Sequence, residues 1–174
     1  MDSSTTTTIG IFILFCIILF VLINRKKRKK EKQFLQPLNR LAEKDNCKIS
    51  QYDIWNNSII GIDNLTNQVF IIKNIFDDET FQNIKLTEIL KCRVNEVGRT
   101  VSLASRTPGI KGNVIKAFDK VELVFINHDK NKPDLIIEFY NKETGNLNLT
   151  GELQMAQKWC KIANDKIATL TERK

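Results

Sequence analysis

One histidine and four cysteines are the conspicuous chemistry-bearing residues of this 174-residue chain, and their spacing argues against most reactions. His128 sits in Asn127-His-Asp-Lys-Asn-Lys-Pro133, a turn composition, so any Ser-His or Cys-His nucleophile would have to route through one loop residue with no positioned partners. Cys47, Cys92 and Cys160 together with His128 match a zinc ligand count, but no C-x-x-C spacing accompanies them. Cysteines so dispersed behave as small core hydrophobes. Asp77-Asp78-Glu79 is an acidic turn without the spacing of a calcium loop, and Gly109-Ile-Lys-Gly112 lacks the G-x-x-x-x-G-K-[ST] spacing of a phosphate loop. No catalytic residue, metal ligand or cofactor is expected from these motifs, and the chain reads as a non-enzymatic protein.

Cations carry the stronger signal, because they are unevenly placed. The net charge is +7 from 27 Lys+Arg and 20 Asp+Glu. Residues 25–32 alone hold Arg25, Lys26, Lys27, Arg28, Lys29, Lys30 and Lys32 against Glu31, which is +6; Asp2 gives −1 and the remainder +2. The domain beyond the run is close to neutral, which excludes a wholly basic nucleic-acid-binding domain. A second group, Arg99, Arg106, Lys111 and Lys116, falls within residues 98–118 with no acid among them. That stretch reads as a connection far longer than the usual 2 to 6 residues, and long connections are where binding functions concentrate. Thr107-Pro108-Gly109 and Gly112 argue for turns within it, while Val101, Leu103 and Val114-Ile115 could add strand pairing; it reads either as a solvated irregular excursion or as a loop that binds an anion or an acidic partner.

The elements that position these groups begin with a segment made for lipid. Thirteen of the fifteen residues at 9–23 are Ile, Leu, Phe or Val and none ionises. With Thr5–Thr8 the run reaches about 29 Å as a helix, close to a hydrocarbon core of about 30 Å. A cleavable signal peptide would need cations before the run and a small-x-small site after it, and here the cations follow. Residues 9–24 are therefore expected to form a transmembrane helix, with 1–8 outside the cell and the basic flank, Arg25 to Lys30, on the cytoplasmic side against lipid head groups. This places the protein in the inner or plasma membrane as a single-pass signal anchor, its thiols in a reducing compartment.

Residues 25–47 form a basic juxtamembrane linker in which Phe34, Leu35, Leu38, Leu41 and Ala42 predict a short helix, with Pro37 in its first turn. From 48 to 174 short runs of Ile, Val, Phe and Tyr alternate with Asn, Asp and Gly clusters. Strands are predicted at 49–55, 58–63, 68–73, 84–86, 90–96, 120–127 and 134–140. Val121, Leu123 and Phe125 share one face, as do Leu135, Ile137 and Phe139. A closing helix over 150–170, capped by Asn148 or Thr150, carries Leu149, Leu153, Ala156, Trp159 or Cys160, Ala163, Ile167 and Leu170 as an apolar stripe. The prediction is a mainly β (α+β) domain of seven antiparallel strands in a bent barrel or sandwich closed by the final amphipathic helix.

That order resembles the pleckstrin-homology-like superfold over residues 48–170. The cues are Ser58-Ile-Ile-Gly-Ile-Asp63 with Gln68-Val-Phe-Ile-Ile-Lys73, then Ile84-Lys-Leu-Thr-Glu-Ile89 leading into Lys91-Cys-Arg-Val-Asn95, and the Trp-bearing final helix. With the anchor, the chain is similar to single-pass bacterial membrane proteins carrying such a domain. The resemblance implies either head-group recognition or docking of a protein partner. Phosphoinositide-binding members place cations at the first hairpin, whereas Trp55-Asn56-Asn57-Ser58 has none, which turns the expectation toward a membrane-anchored adaptor that meets a protein partner, with no nucleic acid involved. The alternative is sensing of anionic lipid or a phosphate ligand through residues 98–118 and the 25–32 flank.

Overall fold

The computed structural model describes residues 29, 31–76, 79–102, 114–144 and 149–172, with the backbone alone at 101, 102 and 114–116. The expected span over 9–24 and the cations Arg25 to Arg28 and Lys30 lie outside the described residues. Among the described residues no helix is long and apolar enough to cross a membrane.

The fold is mainly β, with seven strands and two α-helices among the described residues. A helix over 31–44 (α1) comes first. It is followed by β1 (Gln51–Trp55), β2 (Ser58–Asp63), β3 (Gln68–Lys73), β4 (Thr80–Lys85), β5 (Ile89–Ser102), β6 (Val114–Asn127), β7 (Leu135–Asn141) and α2 (Glu152–Thr171). The expected barrel is not closed: the strands form two sheets, ordered β1-β2-β3-β4 and β5-β6-β7. The chain passes from the first sheet to the second at the 3-10 turn Leu86–Glu88, in which Leu86 is buried. The chain divides into two compact units. The first runs to Asp63 and adds Phe70–Gln82; the second holds Asn64–Val69 and everything from Asn83.

In the first unit α1 lies on the sheet. Phe34, Leu38 and Ala42, spaced by four, are buried and share a core with Cys47, Ile59, Phe70 and Ile72. The close approach depends on Gly61, where an added Cβ would come within 2.8 Å of Leu38 and 3.0 Å of Ile49. The helix starts earlier than its periodicity indicates, so Pro37 stands in its interior rather than its first turn. Proline has no N–H for the carbonyl of Gln33, an exposed residue whose backbone solvent can serve. The C-terminus ends in a Schellman pair, Cys47 N to Ala42 O at 2.9 Å and Asn46 N to Glu43 O at 3.1 Å, with Asn46 at φ 56° in the left-handed region that asparagine tolerates. Tyr52 on β1 donates its phenolic hydrogen to Glu31, tying the start of α1 to the sheet. Asn56 and Asn67, at φ 46° and 54°, make the turns predicted after β1 and β2.

In the second unit α2 packs on β5, β6, β7 and the Leu86–Glu88 turn. Ala156, Trp159, Ala163 and Ile167 are its buried stripe, facing a core that includes Leu123, Phe125, Ile137 and Phe139. The cap differs from the prediction. Gly151 is the N-cap, at φ 123°, without a side-chain bond, and Glu152 instead accepts from the Thr150 backbone N–H at 2.5 Å and hydroxyl at 3.0 Å. A carboxylate at the first helical position also suits the positive end of the helix dipole.

Candidate functional site

The connection expected across residues 98–118 is mostly strand. β5 continues to Ser102 and β6 begins at Val114, pairing rung by rung from Ile89↔Asn127 to Ser102↔Val114. The third strand stops short. β7 pairs with β6 only from Phe125↔Leu135 to Lys120↔Asn141. Beyond that rung, among the described residues, the hairpin is a two-stranded ribbon of five further rungs, Gly98↔Phe118 to Ser102↔Val114, roughly 16 Å long. Each residue from Glu96 to Thr100 is exposed, Val97 at 48%.

A β-bulge marks where the ribbon leaves the sheet. Val97 pairs with Lys120 and Gly98 with Phe118, so Asp119 is the extra residue on β6. Bulges sharpen twist and redirect a strand. Gly98 allows the crossing: a Cβ there would sit 2.4 Å from the Ala117 carbonyl oxygen and 3.0 Å from Phe118 Cα. These are backbone atoms, which cannot swing aside.

Charge separates at the same point. On the sheet side Glu122, 7% exposed, accepts from Asn95 Nδ2 at 2.8 Å and pairs with Lys120 Nζ at 2.6 Å. Lys120 also reaches Glu138 at 3.5 Å, and Asn141 Nδ2 donates to Glu138 at 3.0 Å. Hydrogen bonding to Glu122 raises the Lys120 pKa above its ordinary value. Asp119 lies 3.8 Å from Lys142. Past Gly98 the sequence holds Arg99, Arg106, Lys111 and Lys116 and no acid until Asp119. Arg99, exposed, stands opposite Ala117, and Lys116 opposite Thr100, so the two occupy adjacent rungs and are not paired across the ladder. Arg106 and Lys111 lie outside the described residues. Of the membrane-surface cations only Lys29 is described, exposed ahead of α1.

The free side of β5 is closed by a group that sequence spacing does not advertise. Asn164 on α2 uses its amide as a substitute strand: Oδ1 accepts from Cys92 N–H at 2.8 Å and Nδ2 donates to Cys92 O at 2.9 Å. Its neighbour Cys160 places Sγ 3.4 Å from the same carbonyl. Burial, together with the Cys160 thiol, pushes the Cys92 thiol well above the usual range. Spacing could have pointed to this pair, since Cys160 and Asn164 are one turn apart beside the Trp159 stripe.

His128 is exposed in the β6–β7 connection, and its backbone N–H donates to Glu88 O at 2.9 Å. Lys132 from the same connection bonds Glu88 at 2.8 Å, which lowers the Glu88 pKa below the ordinary carboxylate value. Among the described residues no three of His, Cys, Asp and Glu are grouped to hold a metal ion. No family model, no curated protein and no solved structure matches this chain.

Proposed function

We propose that the chain is a membrane-anchored, non-enzymatic adaptor that docks an acidic protein partner on the β5–β6 ribbon. The observation that carries this reading is the ribbon itself: a hairpin that outruns β7 by five rungs and whose charged residues between Gly98 and Phe118 are all cationic. A sheet with its outer strand missing offers backbone groups for strand addition, and cations steer an acidic partner to it. The anchor is proposed from the apolar run at 9–23 with the basic run after it, and with it a cytoplasmic, single-pass placement. Seven antiparallel strands followed by a long helix with a buried stripe support the pleckstrin-homology-like reading of the domain.

A second reading has its own support, since the ribbon and the 25–32 flank carry charge of one sign and both suit anionic lipid. A photo-crosslinker at Thr100 of the full-length chain in native membranes separates the two. The adaptor reading expects a protein adduct that disappears when Arg99, Arg106, Lys111 and Lys116 are all replaced by Gln. Adducts to lipid alone, abolished by high salt, would transfer the case to the lipid reading. Alkaline washing tests the anchor separately: the intact chain should stay with membranes, and the chain lacking 9–23 should not.

A further inference from the structure

We propose that Cys92 and Cys160 form an oxidation-driven cross-link that fastens α2 to β5, with a hydroperoxide as the oxidant. The geometry is built at the crossing of helix and strand. Cys160 Sγ lies 3.4 Å from the Cys92 carbonyl, and Asn164 one turn later holds both backbone groups of Cys92 at 2.8 and 2.9 Å, fixing strand and helix against each other. Both cysteines are free, and Cys160 is the neighbour that, after burial, acts on the Cys92 thiol. Asn164 Nδ2 also lies 3.5 Å from Cys160 Sγ, a donor suited to a developing thiolate. The roles differ by exposure. Cys92 is 5% exposed while Cys160 is only partly buried, so Cys160 meets the oxidant and Cys92 resolves it.

In the first step the Cys160 sulfur attacks one peroxide oxygen; an S–O bond forms as the O–O bond breaks, leaving a sulfenic acid and releasing water once the thiol proton is taken up. In the second, the Cys92 sulfur attacks the Cys160 sulfur and displaces the sulfenic hydroxyl, which leaves with the Cys92 proton as a second water. Two thiols are oxidised to one disulfide and one hydrogen peroxide is reduced to two waters. Burial raises the Cys92 thiol pKa, which makes Cys92 the less reactive of the two toward peroxide and suits it to the resolving role. Once formed it closes a loop that runs from Cys92 in β5 through β6 and β7 to Cys160 in the first half of α2, and holds the helix on the sheet through openings that would otherwise release it.

The test uses the full-length chain in detergent with hydrogen peroxide as the probe. Intact mass should fall by about 2 Da as two thiols become one disulfide. Non-reducing peptide mapping should join the peptides of Cys92 and Cys160, dithiothreitol should restore the mass, and backbone amides of α2 should exchange more slowly in the oxidised form. In Cys160→Ser the Cys92 thiol should remain open to alkylation after peroxide and unfolding. Stable oxidation of Cys160 with Cys92 still a thiol would overturn the proposal, as would cross-links that run through Cys16 or Cys47 or join two chains.

Discussion

Gly98→Ala is the sharpest test of how the ribbon is built. The added methyl would lie 2.4 Å from the Ala117 carbonyl oxygen and 3.2 Å from its carbon, the first about 1 Å inside an ordinary C···O contact. Both are main-chain atoms of the paired strand, so relief requires the strands to separate locally. Forced backbone shifts of this kind cost about 1–3 kcal/mol. The cost falls on the five rungs beyond the bulge, which among the described residues have no third strand to share it. It should therefore appear as local opening: amides of Gly98–Ser102 and Val114–Phe118 should exchange roughly 5- to 150-fold faster. Residues 91–96, paired with β6 where β7 also pairs and α2 covers the sheet, should keep their protection, and the melting temperature should hardly move. Hydrogen exchange read by mass spectrometry on wild type and variant decides it. Unchanged protection at 98–102 would refute the steric argument, and acceleration of the whole sheet in step would refute the separation of ribbon from root.

Asn164→Ala should destabilise the second unit by about 1–3 kcal/mol, because the N–H and C=O of Cys92 lose their amide partner in a partly buried place; chemical denaturation would show it as a lower midpoint. Tyr52→Phe should remove a pH dependence. Its hydrogen bond to Glu31, then burial, raises the Tyr52 pKa above 10.0, so the folded state holds that proton more tightly than the unfolded one. The stabilisation is present below the ordinary tyrosine value and lost as pH rises through the folded one. Exposure limits it to under about 1 kcal/mol, so the stability gap between wild type and variant should be small at neutral pH and close in strong alkali.

Much of the fold is legible where a strand or helix has one buried face. Val121, Leu123 and Phe125 announce the inner face of β6, and Ala156, Trp159, Ala163 and Ile167 announce that of α2, because burial selects apolar residues at the period of the element. The outer halves of β5 and β6 have no such signature. Glu96 to Thr100 are all exposed, and Gly98, with Thr107-Pro108-Gly109 beyond it, has the composition of a turn; only Val101 and Val114-Ile115 hint at strand there, and those three do pair. β4 is obscured likewise: as the last strand of its sheet it exposes Thr80, Phe81 and Asn83, and only Ile84 is buried. The cations of the candidate site can be counted from sequence, whereas the placement of Arg99 and Lys116 on adjacent rungs beyond the end of β7 cannot.

The burial of Phe34, Leu38 and Ala42 beneath the sheet has a consequence for reach. In a chain anchored as proposed, α1 cannot pay out slack, and only seven peptide units, at most about 25 Å of contour, separate residue 24 from residue 31. So short a leash confines the first unit to a thin shell over its own patch of bilayer. Ligands held on the same bilayer would then meet it at a higher local concentration than the same ligands free in solution.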